Sequence, residues 1–302
     1  MEFEEFEDNK NLSLTRFEKM LKTNRILFFD SNEFENIISY YLENCKINLA
    51  KKAIKLGLEQ HPDSSNLALF EIEIFIFENK LDNAEKLLDD LILSEPSNEE
   101  VYIQKANIYS KRKLHKKAIV CLNKILQFNT ENAEVYSLIG IEYLFMEDFE
   151  NAKSNFIKCL NYDDSDYSAL YNIVYCFEIL EQNKNAIEYL NNYLNTNPYC
   201  EVAWHQLGKQ YLFFKNYIKA ITAFDFAIIS DEYFIGAYIE KGRALEKINK
   251  FADAIENYKL IIALKDESSY PLLRMGICND KLGNYKNCLL YTSDAADDQA
   301  SG

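Results

Sequence analysis

Residues 201–234 read EVAWHQLGKQYLFFKNYIKAITAFDFAIISDEYF. The stretch holds two amphipathic helical patterns, one carrying Trp204, Leu207, Gly208 and Tyr211, the next Ala220, Phe224 and Ala227. A 34-residue step in either direction reproduces it. Ala50, Ala84, Ala118, Ala152, Ala186, Ala220 and Ala254 fall on one position with no insertion or deletion. Tyr41, Phe75, Tyr109, Tyr143, Phe177 and Tyr211 form a second column, which relaxes to Leu245. The Gly208 position reads Ile38, Ile72, Ala106, Gly140, Val174, Gly208, Gly242 and Gly276, and Pro62, Pro96 and Pro198 share a closing turn. A polar break such as Phe145-Met146-Glu147-Asp148-Phe149 separates the two helices of a unit.

The spacing W-x2-L-G-x2-Y followed by A-x3-F resembles the tetratricopeptide repeat (TPR) family. The resemblance implies an all-α fold, a right-handed α-solenoid of stacked antiparallel helix pairs. It covers residues 31–287, with complete units at 31–64, 65–98, 99–132, 133–166, 167–200, 201–234 and 235–268 and a partial eighth unit at 269–287. Each alanine suits a close helix crossing, where a larger side chain would push the axes beyond about 8–10 Å. One unit cannot bury its apolar face alone, so stability accumulates along a stack.

The two ends depart from the repeat. Residues 1–12 begin with an acidic run and are expected to be disordered. Residues 13–30 are expected to cap the first unit, with Leu14, Phe17 and Leu21 on one helical face and Asp30 with Glu33 as the cap of the first repeat helix. At the other end Cys288 stands where an eighth alanine is due and Thr292 where an aromatic is due. The string CLLYTSDAADD, from Cys288 onward, resembles one frame of a transposase adapter used in sequencing libraries. Residues 288–302 are therefore expected to be a non-native tail, and 269–287 a truncated unit.

Composition narrows the function. The chain has 48 acidic and 33 basic residues and a formal charge of -15, which disfavours a polyphosphate partner. No apolar stretch reaches the roughly 18 residues of a membrane span. The seven cysteines show no paired close spacing, which fits reduced thiols in a cytoplasm. The abundance of Asn, Lys, Ile and Tyr points to an AT-rich bacterial genome.

Chemistry is sparse. His61 and His115 lie in turns and are expected to be solvated, and Cys45, Cys121, Cys159, Cys176, Cys200 and Cys278 lack the spacing of a metal site. The reading is non-catalytic, with no cofactor and no metal. Function is then expected on the concave face, which in the family is lined by the second, fifth, ninth, twelfth and thirteenth positions of each unit. Those positions include Phe77, Ile141, Phe145, Tyr171, Tyr175, Ile179, His205, Lys209, Phe213, Arg243 and Lys247, along with Leu69 and Ile76. The aromatics with nearby cations suit a protein or peptide segment with apolar anchors. The fifth positions contain no lysine, so the clamp by which one subclass grips chaperone tails is not expected. Alternatives are end-to-end self-assembly, a regulatory part of an enzyme using His205, Lys209 and Tyr171, and an RNA-binding helical repeat.

Overall fold

The computed structural model describes residues 2–23, 26–264 and 269–285. Its helices are α1 Glu2–Thr23, α2 Ser31–Glu43, α3 Ile47–Gln60, α4 Ser65–Phe77, α5 Leu81–Ser94, α6 Glu99–Lys111, α7 His115–Ile125 and α8 Ala133–Phe145, then α9 Phe149–Tyr162, α10 Tyr167–Ile179, α11 Asn183–Thr196, α12 Glu201–Phe213, α13 Tyr217–Ser230, α14 Ile235–Lys247, α15 Phe251–Ala263 and α16 Tyr270–Lys281. Helix starts at 31, 65, 99, 133, 167, 201 and 235 fall on the first residues of the seven sequence units. No strand occurs among the described residues. The chain forms two compact bodies, Met1–Glu147 and Asp148–Gly302. Within each, consecutive helices joined by short turns pack on one another. The break expected at 287 and the tail 288–302 lie outside the described residues.

At the N-terminus α1 reaches back to Glu2, through the stretch expected to be disordered. The later part of α1 packs on α2. Phe17 is fully buried, and its ring lies 5.8 Å from Phe29, 6.2 Å from Phe34 and 6.2 Å from Tyr41. Arg16 bridges to Glu33 at 2.8 Å, and the Glu33 carboxylate also accepts the Asp30 N–H at 3.0 Å.

Helix starts are capped at the same 34-residue period. Ser64, Asn98, Asn132 and Asp166 each accept a backbone N–H two or three residues ahead with the side-chain oxygen, and Cys200 does so with its sulfur. The turn inside each unit is equally regular. Cys45, Asn79, Lys113, Glu147, Glu181, Lys215 and Asn249 all have φ of 55–61°, and Gly283 follows in register at 75°. The next residue donates its N–H back to the aromatic column: Lys46 to Tyr41, Lys80 to Phe75, Leu114 to Tyr109, Gln182 to Phe177 and Asn216 to Tyr211, at 2.7–2.9 Å. This is a Schellman closure, in which a left-handed residue lets the chain satisfy its last carbonyls. A side chain in that conformation costs roughly 1–2 kcal/mol, partly offset by the entropy glycine loses on folding. Lys215→Gly is accordingly expected to stabilise the protein by about 0.5–1 kcal/mol, read as a higher thermal midpoint. An unchanged or lower midpoint would remove the strain argument.

The core forms from three columns. All seven repeat alanines are buried. Against them lie the Gly208 column and the residue sixteen further on, and the two trade volume. Ile38 faces the register of Ile54, Ile72 that of Leu88, Ala106 that of Leu122 and Val174 that of Leu190, whereas Gly208 goes with Phe224 and Gly242 with Tyr258. A Cβ on Gly208 would come within 2.4 Å of the Phe224 ring, and one on Gly242 within 2.5 Å of Tyr258. Close packing of this kind leaves no room for a methyl group.

Candidate binding face

Side chains four residues apart on a helix form a stripe. On α10 the stripe is Tyr171, Tyr175 and Ile179, each 42–46% exposed. On α12, in contact with α10, it is His205, Lys209 and Phe213, and on α14, in contact with α12, Ile239, Arg243 and Lys247. Phe213 is 65% exposed, and its ring meets Phe214 edge-on at 5.2 Å. Lys209 and Phe213 line a cleft of 1220 Å³ with Glu178, Gln182 and Asn183. Arg243 and Lys247 line a second cleft, of 680 Å³. In the first body Phe77 and Phe145 are exposed and Ile141 is half-buried. Leu69 and Ile76, also assigned to the face from the sequence, are buried in the core that holds Ile72 and Leu88. They serve packing between units.

The stripe is held by polar contacts that the sequence reading did not single out. Asn183 donates to Gln210 Oε1 at 2.9 Å, and Gln210 donates in turn to Glu178 at 2.7 Å. Both amides are buried. Their register positions recur in the first body as His115 and Glu142, where Nδ1 lies 2.8 Å from the carboxylate. His115 is thus half-buried between α7 and α8, its ring stacked on Phe145 at 5.3 Å, and not solvated. His61 is likewise engaged, with Nε2 2.7 Å from the Phe29 carbonyl. The signal was available: polar residues in both of two columns that are otherwise mostly apolar, two units apart.

His205 shares the stripe by register, yet its ring packs against Phe234 at 5.1 Å and Phe224 at 5.8 Å. Its Nδ1 is buried without a hydrogen-bond partner. Burial first, and the Lys209 charge second, pull its pKa from 6.5 to about 4. A depressed folded pKa means that the unfolded chain takes up the proton first. The stability contributed by neutral His205 is complete above about pH 6.5 and is lost as pH falls toward 4. His205→Leu is expected to flatten the decline of the thermal midpoint over that interval, and an identical decline in both proteins would contradict it. Burial pushes the thiols of Cys176 to about 11 and Cys278 to about 12. They behave as small apolar fillers. Among the described residues no group of His, Cys, Asp and Glu converges as a metal site, and no helix is long and apolar enough to cross a membrane.

The tetratricopeptide repeat profile matches residues 99–132 and 133–166, two of the units framed above. Anaphase-promoting complex subunit 3 of Schizosaccharomyces pombe is 24% identical over 188 residues, covering 62% of this chain and 28% of that protein. Human Superkiller complex protein 3 is 22% identical over 277 residues, 77% of this chain and 18% of its own length. The chain thus spans well under half of these relatives. Among solved structures, the crystal structure of MamA matches at 21% identity with a TM-score of 0.48, covering 54% of this chain and 95% of that one.

Proposed function

We propose, from the premise that this chain is a tetratricopeptide repeat protein, that it is a non-catalytic scaffold holding a peptide or protein segment along the first-helix face. The observation carrying this reading is the stripe of Tyr171, Tyr175, Ile179 and Phe213, large apolar side chains left exposed on adjacent helices whose other faces are buried. Tyrosine offers wide contact area with little rotamer freedom to lose. Lys209, Arg243 and Lys247 flank it and favour a ligand with acidic groups. Phe77, Ile141 and Phe145 extend the reading to the first body. The half-buried His205 supports the face by packing, which speaks for binding over catalysis.

The names of the two relatives belong to multi-protein complexes, which favours protein partners for this chain as well. The acidic balance disfavours nucleic acid, and cysteines without paired close spacing suit a reducing cytoplasm. The test is affinity capture with the chain as it stands and with Tyr171→Ala plus Tyr175→Ala. A specific prey should be lost at unchanged helicity, and full retention would place the binding site elsewhere.

A further inference from the structure

The 680 Å³ cleft between α14 and α16 inverts the charge of the chain. Its walls bring together Arg243 and Lys247 from α14 with Arg274 and Lys281 from α16, and the one acid among them is Glu246. Glu246 is already satisfied: Arg274 donates to it from Nε at 3.0 Å and from Nη2, and the Tyr258 hydroxyl donates at 2.7 Å. Arg243 leans toward Glu240 at 2.9 Å, but that pair is solvent-exposed on the arginine side and weak. Lys247 and Lys281 are exposed and carry no ion pair among the described residues. Surplus positive charge is therefore concentrated at one place on a chain of net charge -15. Ile239, Phe251 and Tyr270 give the same cleft an apolar floor.

From this we infer that the cleft is a subsite for an acidic peptide segment of another protein, its carboxylates meeting Lys247, Lys281 and Arg243 while an adjacent apolar side chain rests on the floor. Like charges held together repel, and an anionic ligand relieves that repulsion. The inference rests on the binding face proposed above and specifies the ligand chemistry at one end of it. Two lysines on different helices also fix the position of the ligand along the stripe, which the aromatics alone do not.

The test measures fluorescence anisotropy of a labelled peptide of glutamate pairs separated by phenylalanines, beside its glutamine counterpart, at low and high salt. The protein should bind the glutamate peptide at least tenfold more tightly than the glutamine peptide at low salt, and the gap should close at high salt. Lys247→Glu with Lys281→Glu should remove the preference and leave the circular dichroism spectrum unchanged. Tyr171→Ala with Tyr175→Ala should weaken both peptides alike. Equal binding of the two peptides, a preference that survives the lysine reversals, or no binding of the glutamate peptide would overturn the inference. In each of those cases a prey still lost from the tyrosine variant would leave the wider binding face standing. Salt-sensitive self-association abolished by the lysine reversals would make the occupant a second copy of this chain, and would also overturn it.

Discussion

Gly208→Ala is expected to lower the unfolding free energy by about 3 kcal/mol, the upper part of the range for forcing extra volume into a packed core. The added Cβ would sit 2.4 Å from one carbon of the Phe224 ring and 2.8 Å from two others. That ring is fully buried among Ala220, Ala227 and Ala237, so it has nowhere to turn. Relief should come from its partner column. In other units a larger residue at the Gly208 position accompanies Ile or Leu sixteen residues on. Phe224→Leu alone should cost about 1–2 kcal/mol as a large-to-small change. Combined with Gly208→Ala it should leave a total loss of about 2–3 kcal/mol in place of the additive sum of about 4–5 kcal/mol, a coupling of about 2 kcal/mol in a double-mutant cycle. Additive losses would show that the two columns do not exchange volume. Since a stacked array transmits stress mainly to neighbours, hydrogen exchange in α12 and α13 should quicken first.

The second large effect belongs to Glu246. Its side chain is 10% exposed and receives Arg274 and the Tyr258 hydroxyl, so one carboxylate ties α14 to both α15 and α16. Glu246→Ala would strand a part-buried guanidinium and a fully buried phenol at once. Removing one partner of a buried pair costs about 3–5 kcal/mol, and the partial exposure of Arg274 reduces this to about 2–3 kcal/mol. The loss should concentrate in α16, read as faster amide exchange over residues 270–281. Glu246→Gln, which keeps an acceptor without the charge, should lose roughly half as much. Unchanged exchange in α16 with either variant would mean that apolar packing around Met275 and Cys278 alone holds that helix.

The sequence made the fold legible because its period is strict. Alanine every 34 residues announces a close crossing, and helix starts follow from it to the residue. The left-handed turn was harder to see, since Glu147, Glu181 and Lys215 occupy a position where glycine would be the signal. The geometry there is imposed by the carbonyls that must be closed at the helix end, and a lysine tolerates it. The caps Ser64, Asn98, Asn132 and Asp166 were in plain view as a column, but the departures Cys200 and Phe234 blur it. For the proposed binding face, register places the stripe on neighbouring first helices but does not tell which members are buried. Leu69 and Ile76 are absorbed between helices, His205 turns into the rings of Phe224 and Phe234, and Tyr171 and Tyr175 remain open. The Gln210–Asn183 and His115–Glu142 contacts needed two columns to be compared at once, because each residue alone reads as an ordinary polar side chain on a helix.

The most direct test of the binding face replaces Tyr175 with a photo-crosslinking phenylalanine derivative and, in a separate protein, replaces Ile229, a 74% exposed residue on the second helix α13. Irradiation in cells should give a discrete protein adduct from position 175 and none of that size from position 229. An adduct from position 229 with none from position 175 would contradict the assignment of binding to the first-helix stripe.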